Sequence, residues 1–146
     1  MHTVLLPVGE DLYALPLGWV REVITVPPVT RLVTAPPTVL GLFNLRGEIV
    51  PMLDTAALLG VGQLGTATFC VVVNCPQGPL GLATTGCPKA AALDVLLGSS
   101  ELPGTAGLYQ ADRKVAVLLD PAPLLTPERL AHPDMSTAPL PVEVGR

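Results

Sequence analysis

The side chains able to do covalent chemistry are few and scattered. The only histidines, His2 and His132, lie near opposite ends of the 146-residue chain. A general base needs a partner fixed beside it in a packed site, and neither histidine has an obvious one. The carboxylates Glu10, Asp11, Glu22, Glu48, Asp54, Asp94, Glu101, Asp112 and Asp120 are dispersed, most at turns or caps. No glycine-rich phosphate loop opens a helix after a strand. Cys70, Cys75 and Cys87 are odd in number, and their spacing fits no zinc template. Cys70 sits within Phe69-Cys70-Val71-Val72-Val73, where a free thiol packs as a small hydrophobe. The expectation is a protein that is not an enzyme and carries no metal or cofactor.

Recognition chemistry is better represented. In Asn44-Leu45-Arg46-Gly47-Glu48-Ile49-Val50-Pro51, closed by Asp54, apolar residues reach a polar turn and resume as a β-branched run. This is the pattern of a hairpin whose tip needs glycine for a positive φ. Arg46 then stands on a rigid tip. It is either a solvated turn residue, a rim charge that orients a partner, or a brace between parts of the fold. Asn44 suits a bond to the turn backbone, and Gly41 and Gly47 suit backbone geometry. A second candidate is Val20 with Glu22. Strand alternation places them on one face, an apolar residue beside a carboxylate.

Composition agrees with recognition. Hydrophobic residues make up 49% of the chain and charged residues only 14%, against a usual quarter. Aromatics are 3%, so the core must be aliphatic. Few charges remain to cover the surface, and exposed apolar patches often mark partner interfaces. The same numbers also follow from a plain bias toward Ala, Val, Leu and Pro. The formal charge of −4, without a basic run, argues against nucleic acid and an anionic membrane surface. No apolar run approaches the ~20 residues needed to span a bilayer. The early Gly9-Glu10-Asp11 argues against a signal peptide. Unpaired cysteines point to a reducing, cytoplasmic compartment.

The elements that must position these residues are short strands. Thr3–Val8 and Leu12–Leu17 flank one hairpin turn, followed by Val20–Val26 and a short strand Arg31–Thr34. Val39–Leu45 and Glu48–Leu53 make a second hairpin. Asp54 suits the cap of a helix over Thr55–Leu59 that stops at Gly60. The second half repeats the plan. Thr68–Asn74 pairs with Leu80–Thr84, Ala90–Leu97 is one strand, and Gly107–Ala111 pairs with Lys114–Leu119. Asp120 then caps a turn through Leu125, with Pro121 at its first position. Each half ends in an apolar strand, an Asp, three residues and Leu-Leu, with Asp120 following Asp54 by 66 residues. Another helical turn is expected over Thr126–Leu130, and a mobile tail over 137–146.

Asn44-Leu45-Arg46-Gly47, the β-branched residue at 49, Pro51 and Asp54 resemble the central motif of the CheW-like domain family. Val4–Leu17, Trp19–Ile24 and Val115–Leu125 resemble its first hairpin, next strand and closing strand, so the likeness runs from Thr3 to Leu125. It implies an all-β fold of two SH3-like five-stranded β-barrels side by side, with short helical turns. Residues 1–136 would form a single domain of two interlocked subdomains, roughly 16–66 and 67–125 plus the N-terminal strands. It implies a non-catalytic adaptor linking the cytoplasmic tip of chemoreceptors to the regulatory domain of a CheA-like histidine kinase. Val20, Glu22, Gly41 and Arg46, with Asn44 and Gly47, would be partner-binding. The family's acidic position in the second half is faint here, because no acid precedes Asp94 in Thr84-Thr85-Gly86-Cys87-Pro88. Rival readings are the same fold in twitching motility or another kinase pathway, a detached kinase or hybrid-adaptor fragment, and a small-ligand-binding β-barrel. Sparse aromatics and the lack of convergent polar groups speak against the last.

Overall fold

Four two-residue turns set the strand register. They are Gly9-Glu10, Arg46-Gly47, Pro76-Gln77 and Asp112-Arg113. The computed structural model describes residues 1–131, so His132 and the expected tail 137–146 lie outside the described residues. Eleven strands follow: β1 His2–Val8, β2 Asp11–Pro16, β3 Val20–Thr25, β4 Val39–Leu45, β5 Glu48–Asp54, β6 Phe69–Cys75, β7 Gly78–Thr84, β8 Lys89–Ala92, β9 Leu96–Gly98, β10 Thr105–Ala111 and β11 Lys114–Leu119. Three short helices are α1 Thr55–Leu59, α2 Pro121–Leu124 and α3 Pro127–Ala131.

The strands form a six-stranded sheet in the order β8-β1-β2-β11-β10-β9 and a five-stranded sheet in the order β3-β6-β7-β5-β4. Both are curled. Only Leu93-Asp94-Val95 joins β8 to β9, the two edges of the larger sheet. Flat, those edges would be about 24 Å apart at ~4.8 Å per strand, whereas this link spans at most about 14 Å. The edges must therefore approach each other. In the smaller sheet Val26 still bonds Thr68 beside β6, and Thr30 already bridges Leu42 on β4. Three residues, Pro27-Pro28-Val29, again connect opposite edges.

Two expected strands change here. Ala90–Leu97 is divided into β8 and β9 by that corner. Arg31–Thr34 is not a strand, and only Thr30 pairs with β4. Pro27, Pro28, Pro36 and Pro37 surround the segment and lack the N–H groups a ladder needs. The same deficit explains why one sheet has six strands and the other five.

The strands do not divide between the sheets at residue 66. The halves repeat as hairpin, corner strand, hairpin and helix: β1-β2, β3, β4-β5, α1, and then β6-β7, β8-β9, β10-β11, α2. Each leading hairpin lies at the centre of the sheet completed by the other half. The β1-β2 hairpin sits between β8 and β11, and β6-β7 sits between β3 and β5. Their second strands join the sheets through parallel pairs, β2 with β11 and β7 with β5. Backbone detail repeats at the 66-residue spacing. The register slips before both Gly41 and Gly107, and Arg46 and Asp112 are the non-glycine residues with positive φ.

Three apolar clusters result. Phe43, Val50, Met52, Cys70 and Val72 fill the five-stranded barrel. Ala14, Leu93, Ala111, Ala116 and Leu118 fill the other. The largest lies between them, where Leu6, Leu15, Leu58, Leu59, Val71 and Leu124 are essentially sealed from water. The paired leucines Leu58-Leu59 and Leu124-Leu125 belong to this seam.

The two aspartates differ despite their equivalent places. Asp54 accepts the Ala57 N–H at 2.9 Å and also holds Leu64 N–H at 3.0 Å. Asp120 was expected to cap in the same way, but its carboxylate makes no capping bond. The residue matching Ala57 is Pro123, which has no N–H to give. Asp54→Ala is therefore expected to cost about 2 kcal/mol, and Asp120→Ala less than about 0.5 kcal/mol, in denaturant unfolding.

Candidate partner-binding surface

The sequence places Arg46 beside Gly47 at a hairpin tip. The structure puts both in left-handed backbone, with φ of 51° and 88°. This is the two-residue turn that matches strand twist, although only the glycine avoids β-carbon crowding. Asn44 Oδ1 accepts the Gly47 N–H at 2.9 Å and braces the tip.

The curled sheet brings this tip against β3. The Arg46 guanidinium donates to the Glu22 carboxylate. That hydrogen bond and the Glu22 charge, with Glu48 adding, raise the Arg46 pKa above its ordinary value. Beside it Arg21 donates from Nη1 to Glu48 Oε1 at 3.0 Å and from Nε to Asn74 Oδ1 at 2.8 Å. Two arginines and two carboxylates thus alternate across the seam between β3 and the β4-β5 hairpin. Arg46 remains largely exposed, while Glu22 is about three-quarters covered. Exposed Val23 and Ile49 adjoin the quartet along β3 and β5. Arg21, Glu48 and Asn74 were not among the expected site residues. Opposite charges at 21 and 22, and again at 46 and 48, were their only sequence signal.

Two site expectations change. Val20 and Glu22 do not share a face. Val20 pairs with Val73 and Glu22 with Val72, so Arg21 is an extra residue in the ladder. Val73 belongs to the seam cluster and Val72 to the barrel interior, which puts Val20 and Glu22 on opposite sides. A bulge of this kind cancels simple alternation. Val20 is half-buried against the seam. Gly41 is not an outward contact, because it is buried beneath Val29 and Thr30. An added Cβ there would lie 2.3 Å from Val29 Cγ1 and 2.5 Å from Thr30 O.

The remaining chemistry is sparse. No group of three or more His, Cys, Asp or Glu side chains among the described residues is placed to hold a metal. Burial pushes the Cys70 thiol up to about 12, so the neutral thiol packs as the sequence suggests. Burial also raises half-buried Cys75. Among the described residues no helix is long and apolar enough to cross a membrane.

Two β-barrels with packed interiors, one carrying a charged hairpin at its rim, define the class of domain. The CheW-like domain family matches residues 2–129, and the chain belongs to that family. It is similar to the Chemotaxis protein CheW of Klebsiella aerogenes, at 27% identity over 86% of this chain and 82% of the relative. Shorter matches join it to the Chemotaxis protein CheW of Treponema pallidum, 41% identical, and of Rhizobium meliloti, 39% identical. Those cover 32% and 37% of this chain, and 27% and 35% of the relatives. The crystal structure of scaffolding protein TtCheW from Thermoanaerobacter tengcongensis shares the fold. Its TM-score is 0.71 at 22% identity, over 81% of this chain and 82% of that one.

Proposed function

We propose that this protein is a non-catalytic adaptor of a chemosensory complex that couples the cytoplasmic tips of chemoreceptors to a CheA-type histidine kinase. One observation carries the reading within the family. The Arg46-Gly47 tip is held rigid by Asn44, tied to Glu22, and still exposed. A preorganised charge of this kind orients a partner with little ordering cost. Glu22 and Arg46 are the direct contacts, with Arg21 and Glu48 flanking them. Asn44, Gly47 and Gly41 keep the backbone in shape, and Val20 supports the rim from the seam. Packed interiors at Phe43, Val50 and Met52, each at most 2% exposed, support an adaptor over a ligand-binding barrel.

Coupling needs contacts that differ between the kinase's on and off states. The protein supplies geometry, with separate surfaces holding kinase and receptor. The test is titration of wild type, Arg46→Ala and Glu22→Ala against the kinase regulatory domain and the receptor tip. Melts run alongside. Each substitution is expected to weaken at least one complex by about five- to thirtyfold, more at low salt, with the melting temperature nearly unchanged. Unchanged affinity for both partners makes Arg46 a solvated turn residue. Lost binding that tracks a collapsed melt makes the quartet a brace between strands.

A further inference from the structure

The tip of the β4-β5 hairpin carries its own ion-pair partner for Arg46. Glu48 stands two residues on, across Gly47. A pair so close in sequence forms with little loss of chain freedom, so it is the default for an exposed arginine on a tight turn. The Glu48 charge does act on Arg46. The guanidinium nevertheless donates to Glu22, 24 residues away on β3. Some feature of the fold must set the local carboxylate aside.

Arg21 does so. Its Nη1 donates to Glu48 Oε1 at 3.0 Å and its Nε to Asn74 Oδ1 at 2.8 Å. Two bonds through different nitrogens of one planar group fix its direction, which a point charge does not do. The bulge supplies the position. In a regular strand, residues 21 and 22 would point to opposite faces. Arg21 is the extra residue between Val20 opposite Val73 and Glu22 opposite Val72. With that bulge, neighbouring Arg21 and Glu22 both reach the β4-β5 tip. The side chain of Arg21 is 33% exposed and that of Arg46 67%, so Arg21 lies deeper in the rim and Arg46 is the more accessible.

We infer that Arg21 is a positioning residue that selects the partner of Arg46: by holding Glu48 it denies the tip its own carboxylate and turns Arg46 to Glu22. A tip paired within itself would be tied to β4 and β5 alone. Paired with Glu22 it is also tied to β3, the opposite edge of the same sheet, and presents Arg46 in one orientation. The selection is internal to the protein, and its effect on affinity rests on the adaptor reading above.

Two measurements on the full chain test this. The first needs no partner and follows the Arg46 Nε–H resonance by NMR. With Arg21 present, Glu22→Gln is expected to move that resonance more than Glu48→Gln does. In the Arg21→Ala background the order is expected to reverse, because Glu48 is then free to take Arg46. An unchanged order overturns the proposal. Arg21→Gln repeats the comparison with a polar side chain kept at the bulge and no charge for Glu48, so a loosened bulge cannot account for a reversal. The second measurement titrates the variants against the kinase regulatory domain and the receptor tip. Arg21→Ala is expected to weaken the complex that Arg46→Ala weakens by about fivefold. Arg21→Ala/Glu48→Gln is expected to bind as Glu48→Gln alone does, since the competing carboxylate is gone. An equal loss with and without Glu48 overturns the proposal and makes Arg21 a direct contact. A reversed resonance order with no effect of Arg46→Ala on either complex keeps the selection and removes the adaptor reading.

Discussion

Replacing Gly41 with alanine is expected to lower the melting temperature by about 6–12 °C, the equivalent of about 3 kcal/mol. The new Cβ would meet Val29 Cγ1 at 2.3 Å and the Thr30 carbonyl oxygen at 2.5 Å. One of these neighbours is backbone, so rotamer change alone cannot relieve the contact. Thr30 is fixed by reciprocal bonds with Leu42, each 2.8 Å, which close this barrel across its edges. Gly41 also has a φ of 157°, which side chains rarely adopt. The comparison is Gly47→Ala, where nothing lies within 4 Å and only the positive φ of 88° resists the change. Its expected cost is about 1 kcal/mol. Thermal melts of both variants decide the point. Equal losses would mean that the Thr30 segment yields, and that the barrel is not closed by that bridge.

Cutting the connector between Gly65 and Thr66 is expected to leave two fragments that are each unfolded and that fold when mixed. Both residues are exposed, so the break itself removes little packing. Fragment 1–65 holds β3, β4 and β5 but lacks β6-β7, which lie between β3 and β5. Fragment 66–146 holds β8 to β11 but lacks β1-β2, which lie between β8 and β11. Each fragment also exposes its share of the seam, where Leu6, Leu15 and Leu58 meet Val71, Leu82 and Leu124. Losing that common core removes a large part of the roughly 5–15 kcal/mol that stabilises a domain. Circular dichroism of each fragment and of the equimolar mixture measures the outcome. A cooperative melt from either fragment alone would show that the halves are independent. A single transition in the intact chain and in the mixture would establish one interlocked domain.

Local rules made much of the chain legible. Polar turns, alternating apolar runs and flanking prolines are local signals, and they located the four hairpins, although the turns at Gly9-Glu10 and Pro76-Gln77 are tighter than the expected strand bounds imply. They also located the helix capped by Asp54, because a cap depends on residues within one turn. The tip at Arg46 and Gly47, and its brace by Asn44, were likewise readable from a few neighbours. The spacing of Asp54 and Asp120 disclosed the repeat.

Tertiary structure decided what those elements meet. Turn chemistry fixes strand pairing inside a hairpin, but a hairpin's outer edges pair with whatever burial delivers. The central hairpins could therefore be exchanged between halves with no trace in local pattern. The bulge at Arg21 arose from pairing with β6, and it turned Val20 away from Glu22 despite strict spacing in sequence. Sheet curling carried Arg46 to Glu22 and Arg21 to Glu48, pairs separated by 24 and 27 residues. The same closure buried Gly41 under Thr30. The sequence by itself determined the hairpin strands, their turns and the residue at each tip, because these answer to steric and hydrogen-bonding rules a few residues long, whereas the corner segments 31–34 and 90–97 answered to sheet closure. Which tips face which strands, and so which charges are paired and which are left open, depended on closing the sheets, a non-local event driven by burial of the seam.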